Sequence, residues 1–257
     1  MKTKTLIFFL VFFYSLNVAL SQEMKTIHVF VALCDNENQG IVPVPARIGN
    51  GQDASHNLYW GAGYGVKNYF KVKSKDWNLI KTIKNPTDKI LERVVFKHAR
   101  TNTYLLADAY DGAEIKQTIL DFLYASSGYF KTSVKIGSKE INFGGASDLC
   151  AYVGHNGLMD VKINPHLIAK GDKERDVIII ACYSKDYFLP YIKDAGANPL
   201  IWSAGLMSAE AYTLEWALDG WVLNETDEQI RSRAARAYNH YQKCGIKGAR
   251  NLLRTGW

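Results

Sequence analysis

Five largely apolar runs, each stopped by polar or turn-forming residues, constrain this chain more than any other feature. Residues 27–33 end at Cys34-Asp35-Asn36-Glu37-Asn38, and residues 103–110 end at Asp111-Gly112. Residues 148–154 lead to His155-Asn156-Gly157, residues 176–181 to Cys182-Tyr183-Ser184, and residues 199–203 to Ala204-Gly205. Continuous apolarity, rather than alternation, marks strands covered on both faces. Helical patterns fall between and after them. Residues 113–124 place Ile115, Ile119, Phe122 and Leu123 on one face behind Asp111 as N-cap. A short helix is expected at 187–195, limited by Pro190, and another at 209–218 with Ser208 as its N-cap. A last helix at 225–241 opens on Thr226-x-x-Gln229, a capping-box spacing. Residues 41–102 read as a helix plus a hairpin or a loop excursion.

Alternating strands and helices predict an α/β fold: a mostly parallel sheet flanked by helices on both faces, in one domain over residues 26–257. In such open sheets a ligand sits beyond the carboxyl ends of the strands. The residues that stop the five runs are those ends. That is reason enough to consider Asp35, Asp111, His155, Cys182 and Ser203 together.

Lys2 and Lys4 precede an apolar run, and small residues follow at Ala19 and Ser21, so residues 1–21 read as a signal peptide. The run is too short to span a bilayer. An exported chain, periplasmic or extracellular and free of the membrane after cleavage, is expected. Hydrophobic residues at 47% and charged residues at 22% exclude a disordered chain. The net charge of +6 falls to +4 without the two leader lysines, which is too mild to call for nucleic acid. Four cysteines (34, 150, 182 and 244) are too few for a disulfide scaffold and leave pairing open.

His155 and Cys182 form the sharpest chemical pair. Each directly follows a buried-type strand. A thiol needs a neighbouring base to act as a nucleophile, and histidine can hold its proton and later protonate a leaving group. Asp35, Asn36, Asn156 and Ser203 lie at the same strand ends as candidates for shaping the substrate site. The oxygen cluster around Asp35 lacks calcium-loop spacing, and no His/Cys spacing matches a zinc site, so no metal is assigned. No cofactor is called for. Asn57-Leu58-Tyr59-Trp60-Gly61-Ala62-Gly63-Tyr64-Gly65 is not a dinucleotide loop. Its glycines suit tight packing, and its aromatics suit a platform for a peptide or sugar.

The block Leu149-Cys150-Ala151-Tyr152-Val153-Gly154-His155-Asn156-Gly157, followed by Val177-Ile178-Ile179-Ile180-Ala181-Cys182, resembles the caspase-like cysteine peptidases, which include caspases, legumains, gingipains and clostripain. Family members usually carry glycine directly after the histidine, where Asn156 stands here. The resemblance implies Cys182 as nucleophile, His155 as general acid and base, and backbone N–H groups near Gly157 and Cys182 as the oxyanion hole. The function expected is that of a secreted cysteine-dependent hydrolase acting on peptide or protein substrates. Two alternatives stand beside it: a catalytically inactive caspase-like module binding a peptide or glycan, and a thiol amidase with a non-peptide substrate.

Overall fold

A computed structural model describes residues 23–171 and 173–257. The expected signal peptide lies outside the described residues. In chain order the elements are β1 (Lys25–Ala32), α1 (Val66–Val72), β2 (Trp77–Lys84), β3 (Ile90–His98), β4 (Thr103–Tyr110), α2 (Ile115–Ser126), β5 (Lys131–Ile136), β6 (Lys139–Gly144) and β7 (Leu149–Val153). Then come β8 (Asp176–Ile180), α3 (Ser184–Ala195), β9 (Asn198–Ser203), α4 (Ala211–Val222), α5 (Asp227–Gln242), α6 (Ile246–Leu252) and the short β10 (Leu253–Arg254).

Eight strands make one sheet in the order β10-β9-β8-β7-β1-β4-β3-β2. The five strands from the apolar runs are its parallel centre, with β1 between β4 and β7. The expected α/β class is therefore the observed one. Antiparallel β3, β2 and β10 extend the two edges. Strand composition follows position: all five residues of β7 are buried, whereas β2 at the edge alternates and carries Lys81 and Lys84. Charged side chains on an edge strand oppose pairing with another chain.

Alternation within each strand divides the core in two. Ile27, Val29, Val31, Ala151, Val153, Ile178 and Ile180 pack with α1, α4 and α5. Phe30, Cys150, Tyr152, Val177 and Ile179 pack with α2 and α3 on the other face. The β5–β6 hairpin, which has no counterpart in the sequence reading, continues that second layer over Val95 and Leu106.

Thr226 and Gln229 form the reciprocal capping box at the start of α5. Asp111 accepts from the Ala113 N–H and caps a 3-10 turn leading into α2, whose face of Ile115, Ile119, Phe122 and Leu123 is buried. Residues 41–102 hold α1 and the β2–β3 hairpin, as read. Pro190, however, does not limit α3, which begins three residues earlier and runs through it. The proline is exposed, so the carbonyl it leaves unpaired can be hydrated. Ser208 is not an N-cap either. The helix expected behind it is α4, which starts at Ala211, and the Ser208 N–H goes to the Tyr238 hydroxyl instead.

Candidate functional site

The strand order reverses around β1: the chain goes from β1 to β4 on one side, then back across to β7 on the other. Carboxyl ends at such a reversal form the natural crevice of an open α/β sheet. Gly154 turns β7 out of the sheet there with φ of +147°, and a Cβ on it would lie 2.8 Å from the Ala32 carbonyl oxygen of β1. Only glycine fits that conformation and that approach.

His155 and Cys182 occupy equivalent places on neighbouring strands. The β7–β8 ladder pairs Val153 with Ile180, and the Gly154 N–H extends it to the Ile180 carbonyl at 3.2 Å. Each candidate lies two residues beyond that last pair, on strands about 4.8 Å apart. Asn156 joins the two loops: its Nδ2 donates to the Cys182 carbonyl at 2.7 Å and its Oδ1 accepts from the Leu158 N–H at 3.1 Å. This buried amide acts as a clamp between the loops.

The imidazole is held by a residue that the sequence reading did not single out. His155 Nε2 lies 2.7 Å from Asp160 Oδ2, and that same oxygen accepts the Gly40 N–H at 2.9 Å. With Nε2 engaged, Nδ1 is the ring nitrogen without a partner among the described residues. The signal was present as a carboxylate five residues after the histidine. Its meaning depended on the turn Gly157–Met159, which folds Asp160 back onto the ring.

The sulfur is half-buried in the turn that leads into α3. Its hydrogen is directed to the Met207 carbonyl at 3.5 Å, and the Met207 N–H donates to Sγ at 3.3 Å. No hydrogen bond joins His155 to Cys182 in this arrangement. Tyr59 lies close enough to feel Cys34, Cys182 and Glu210, and burial first, then those neighbours, push its phenol well above the ordinary range. All four cysteines are unpaired. Burial, aided by Asp35, raises the Cys34 thiol to about 11, and burial raises Cys150 to about 12. Both are fully buried, which leaves Cys182 and the exposed Cys244 as the accessible thiols.

The remaining candidates divide. The Gly157 N–H is engaged by the His155 carbonyl at 3.1 Å, so of the two expected oxyanion donors only the Cys182 N–H has no partner among the described residues. Asp35 and Asn36 border a polar cavity of about 370 Å³ with Glu37, Gly49, Asn50 and Gln52. Their side chains also build its wall. Asp35 accepts from Glu37 N, Asn38 N, Asn38 Nδ2 and Gln52 Nε2, and these bonds overcome the effect of burial and hold its carboxyl below the usual range. Asn36 closes a two-bond ring with the Val44 backbone. Ser203 is fully buried; its hydroxyl donates to the Ala181 carbonyl and accepts the Ser184 N–H at 3.1 Å, tying β9 to the start of α3.

The aromatic segment does not form an open platform. Trp60 and Tyr69 are core residues, and Trp60 Nε1 donates to the buried Glu92 at 2.6 Å. Tyr64 alone in that stretch is a large exposed ring, at 41%. Gly61 and Gly65 do pack tightly, with would-be Cβ atoms 2.1 and 2.4 Å from neighbouring backbone, while Gly63 faces open space.

Among the described residues no cluster of three or more His, Cys, Asp or Glu could hold a metal ion, and no helix is long and apolar enough to cross a membrane. No family model, curated protein or solved structure matches the chain.

Proposed function

We propose that this chain is an exported cysteine-dependent hydrolase that cleaves peptide bonds, with Cys182 as nucleophile and His155 as general acid and base. The observation that carries this reading is the placement of both residues two positions past the last rung of one parallel ladder, with Asn156 clamping the loops and Asp160 engaging the far ring nitrogen. Holding Nε2–H on Asp160 leaves the Nδ1 lone pair as the base, which is the tautomer control a histidine base requires.

Cleavage proceeds in two stages. His155 Nδ1 takes the Cys182 proton as Sγ forms a bond to the substrate carbonyl carbon, whose oxygen gains the charge. In this reading the Cys182 N–H donates to that charge. The C–N bond then breaks, and the departing amine takes the proton from Nδ1. In the second stage water gives a proton to Nδ1 and its oxygen bonds to the acyl carbon, the C–S bond breaks, and the sulfur leaves as thiolate. A rotation about the Cys182 Cα–Cβ bond, away from Met207, must precede the first stage.

The test is the pH dependence of Cys182 alkylation, read by peptide mass spectrometry, with His155→Ala and Asp160→Asn as comparisons. The expected result is reaction well below the free-thiol value of about 8.5, lost in His155→Ala and weakened in Asp160→Asn. A profile that does not change in His155→Ala would overturn the proposal and leave a non-catalytic binding module as the better reading.

A further inference from the structure

The sulfur's contact with Met207 has a consequence for regulation of this site, and it rests on the reading above. Residues 205–208 cross the sulfur as irregular chain between β9 and α4. The segment is pinned at both ends. The Tyr183 N–H donates to the Gly205 carbonyl at 2.8 Å, and the Ser208 N–H donates to the Tyr238 hydroxyl at 3.2 Å. Between those pins, Leu206 is 69% exposed, and both polar groups of the Met207 backbone are directed to Cys182 Sγ.

We infer that residues 205–208 form a latch on the nucleophile, which closes by accepting the Cys182 hydrogen on the Met207 carbonyl and opens to let Sγ turn towards His155. Sulfur is a weak donor and a weak acceptor, so the latch is readily exchanged for stronger partners. An extended peptide substrate supplies backbone N–H and C=O groups that compete for the same space. The closed latch competes with His155 for the thiol hydrogen, and a substrate that displaces the Met207 backbone shifts the balance towards His155. The closed latch also shields the half-buried sulfur from other electrophiles and oxidants.

The strength of the latch is set by its pins. Tyr238 belongs to α5, and its hydroxyl is the partner of Ser208 N–H. Tyr238→Phe removes that pin while keeping the ring in the core. Leu206→Gly removes an exposed side chain and loosens the backbone beside Met207. Both are read in a Cys244→Ser background, in which Cys182 is the one thiol not fully buried.

The measurement is the rate of Cys182 alkylation by iodoacetamide at a fixed pH in the parent and in each variant, followed by intact mass. Each variant should accelerate the reaction over the parent by roughly threefold to tenfold, the range for one ordinary hydrogen bond. Thermal melting confirms that each variant is folded. Two folded variants with unchanged rates would overturn the latch. His155→Ala in the same background keeps the two ideas apart. A rate lowered by His155→Ala but insensitive to Tyr238→Phe and Leu206→Gly removes the latch and leaves the dyad. The opposite pattern removes the dyad and leaves a shielded thiol.

Discussion

Replacing Asp108 with asparagine should destabilise the fold more than its single lost charge suggests. Asp108 is fully buried on β4 and receives Arg93 Nε at 2.6 Å, Arg93 Nη2 at 2.7 Å and lies 3.0 Å from His28 Nε2. Arg93 Nη1 continues to Thr132 of the β5–β6 hairpin at 3.0 Å, so the network ties the sheet to the layer above it. The Arg93 side chain is only 9% exposed, so without its counter-ion a guanidinium stays buried and uncompensated. Breaking a buried pair in this way costs about 3–5 kcal/mol. For a chain of this size, that corresponds to a fall in Tm of about 6–20 °C.

The pH dependence has a defined sign. Burial opposes the Asp108 charge, but Arg93 and His28 more than offset it and hold its folded pKa below the ordinary value. Its contribution is therefore fully present above the unfolded value of about 3.9 and lost as pH falls through the folded value. The gap between wild type and Asp108→Asn should be constant near neutrality and close under strong acid. Thermal and urea melts across that range measure it. A Tm shift below about 3 °C at neutral pH would refute the assignment of Asp108 as the counter-ion of a buried cation. An apolar replacement of all three residues, His28→Phe with Arg93→Met and Asp108→Leu, should recover most of the loss.

Three further outcomes are expected. Burial, then Glu215 and Asp76, raise the Asp219 carboxyl to about 7, so its protonated form favours the fold below the unfolded value of about 3.9 and that support is lost as pH rises through about 7; Asp219→Asn should gain in Tm over wild type from acid to mildly alkaline pH. A methyl group on Gly40 would fall 2.3 Å from Asp160 Oδ1, so Gly40→Ala should displace that carboxylate and slow His155-dependent alkylation of Cys182 by roughly tenfold or more, with little change in melting. Thr226→Ala removes the capping box of α5 and should cost about 1 kcal/mol, seen as a Tm lower by about 2–4 °C.

The sequence by itself determined the parallel centre of the sheet and the placement of His155 and Cys182 just past the carboxyl ends of two of its strands. The reason is local: strands covered on both faces are apolar along most of their length and are cut off by polar or turn-forming residues, so β1, β4, β7, β8 and β9 are visible without coordinates. Local chemistry also carried the Asp111 and Thr226 caps, because each bonds to a backbone group two or three residues away. Ser203 shows where that logic stops. It has the right position at a strand end, but the register with β8 and α3 turns its hydroxyl inward.

Tertiary structure alone decided the partners of the two central residues. Asp160 is oriented by the N–H of Gly40, 120 residues earlier in the chain. The sulfur is covered by the backbone of Met207, 25 residues later. Both contacts are made by main-chain groups, which every residue but proline carries in full, so no residue type in the sequence could announce them. The loops that deliver those groups are placed by the strand order, β1 between β4 and β7 and β9 beside β8, and only the folded sheet brings them over the histidine and the thiol.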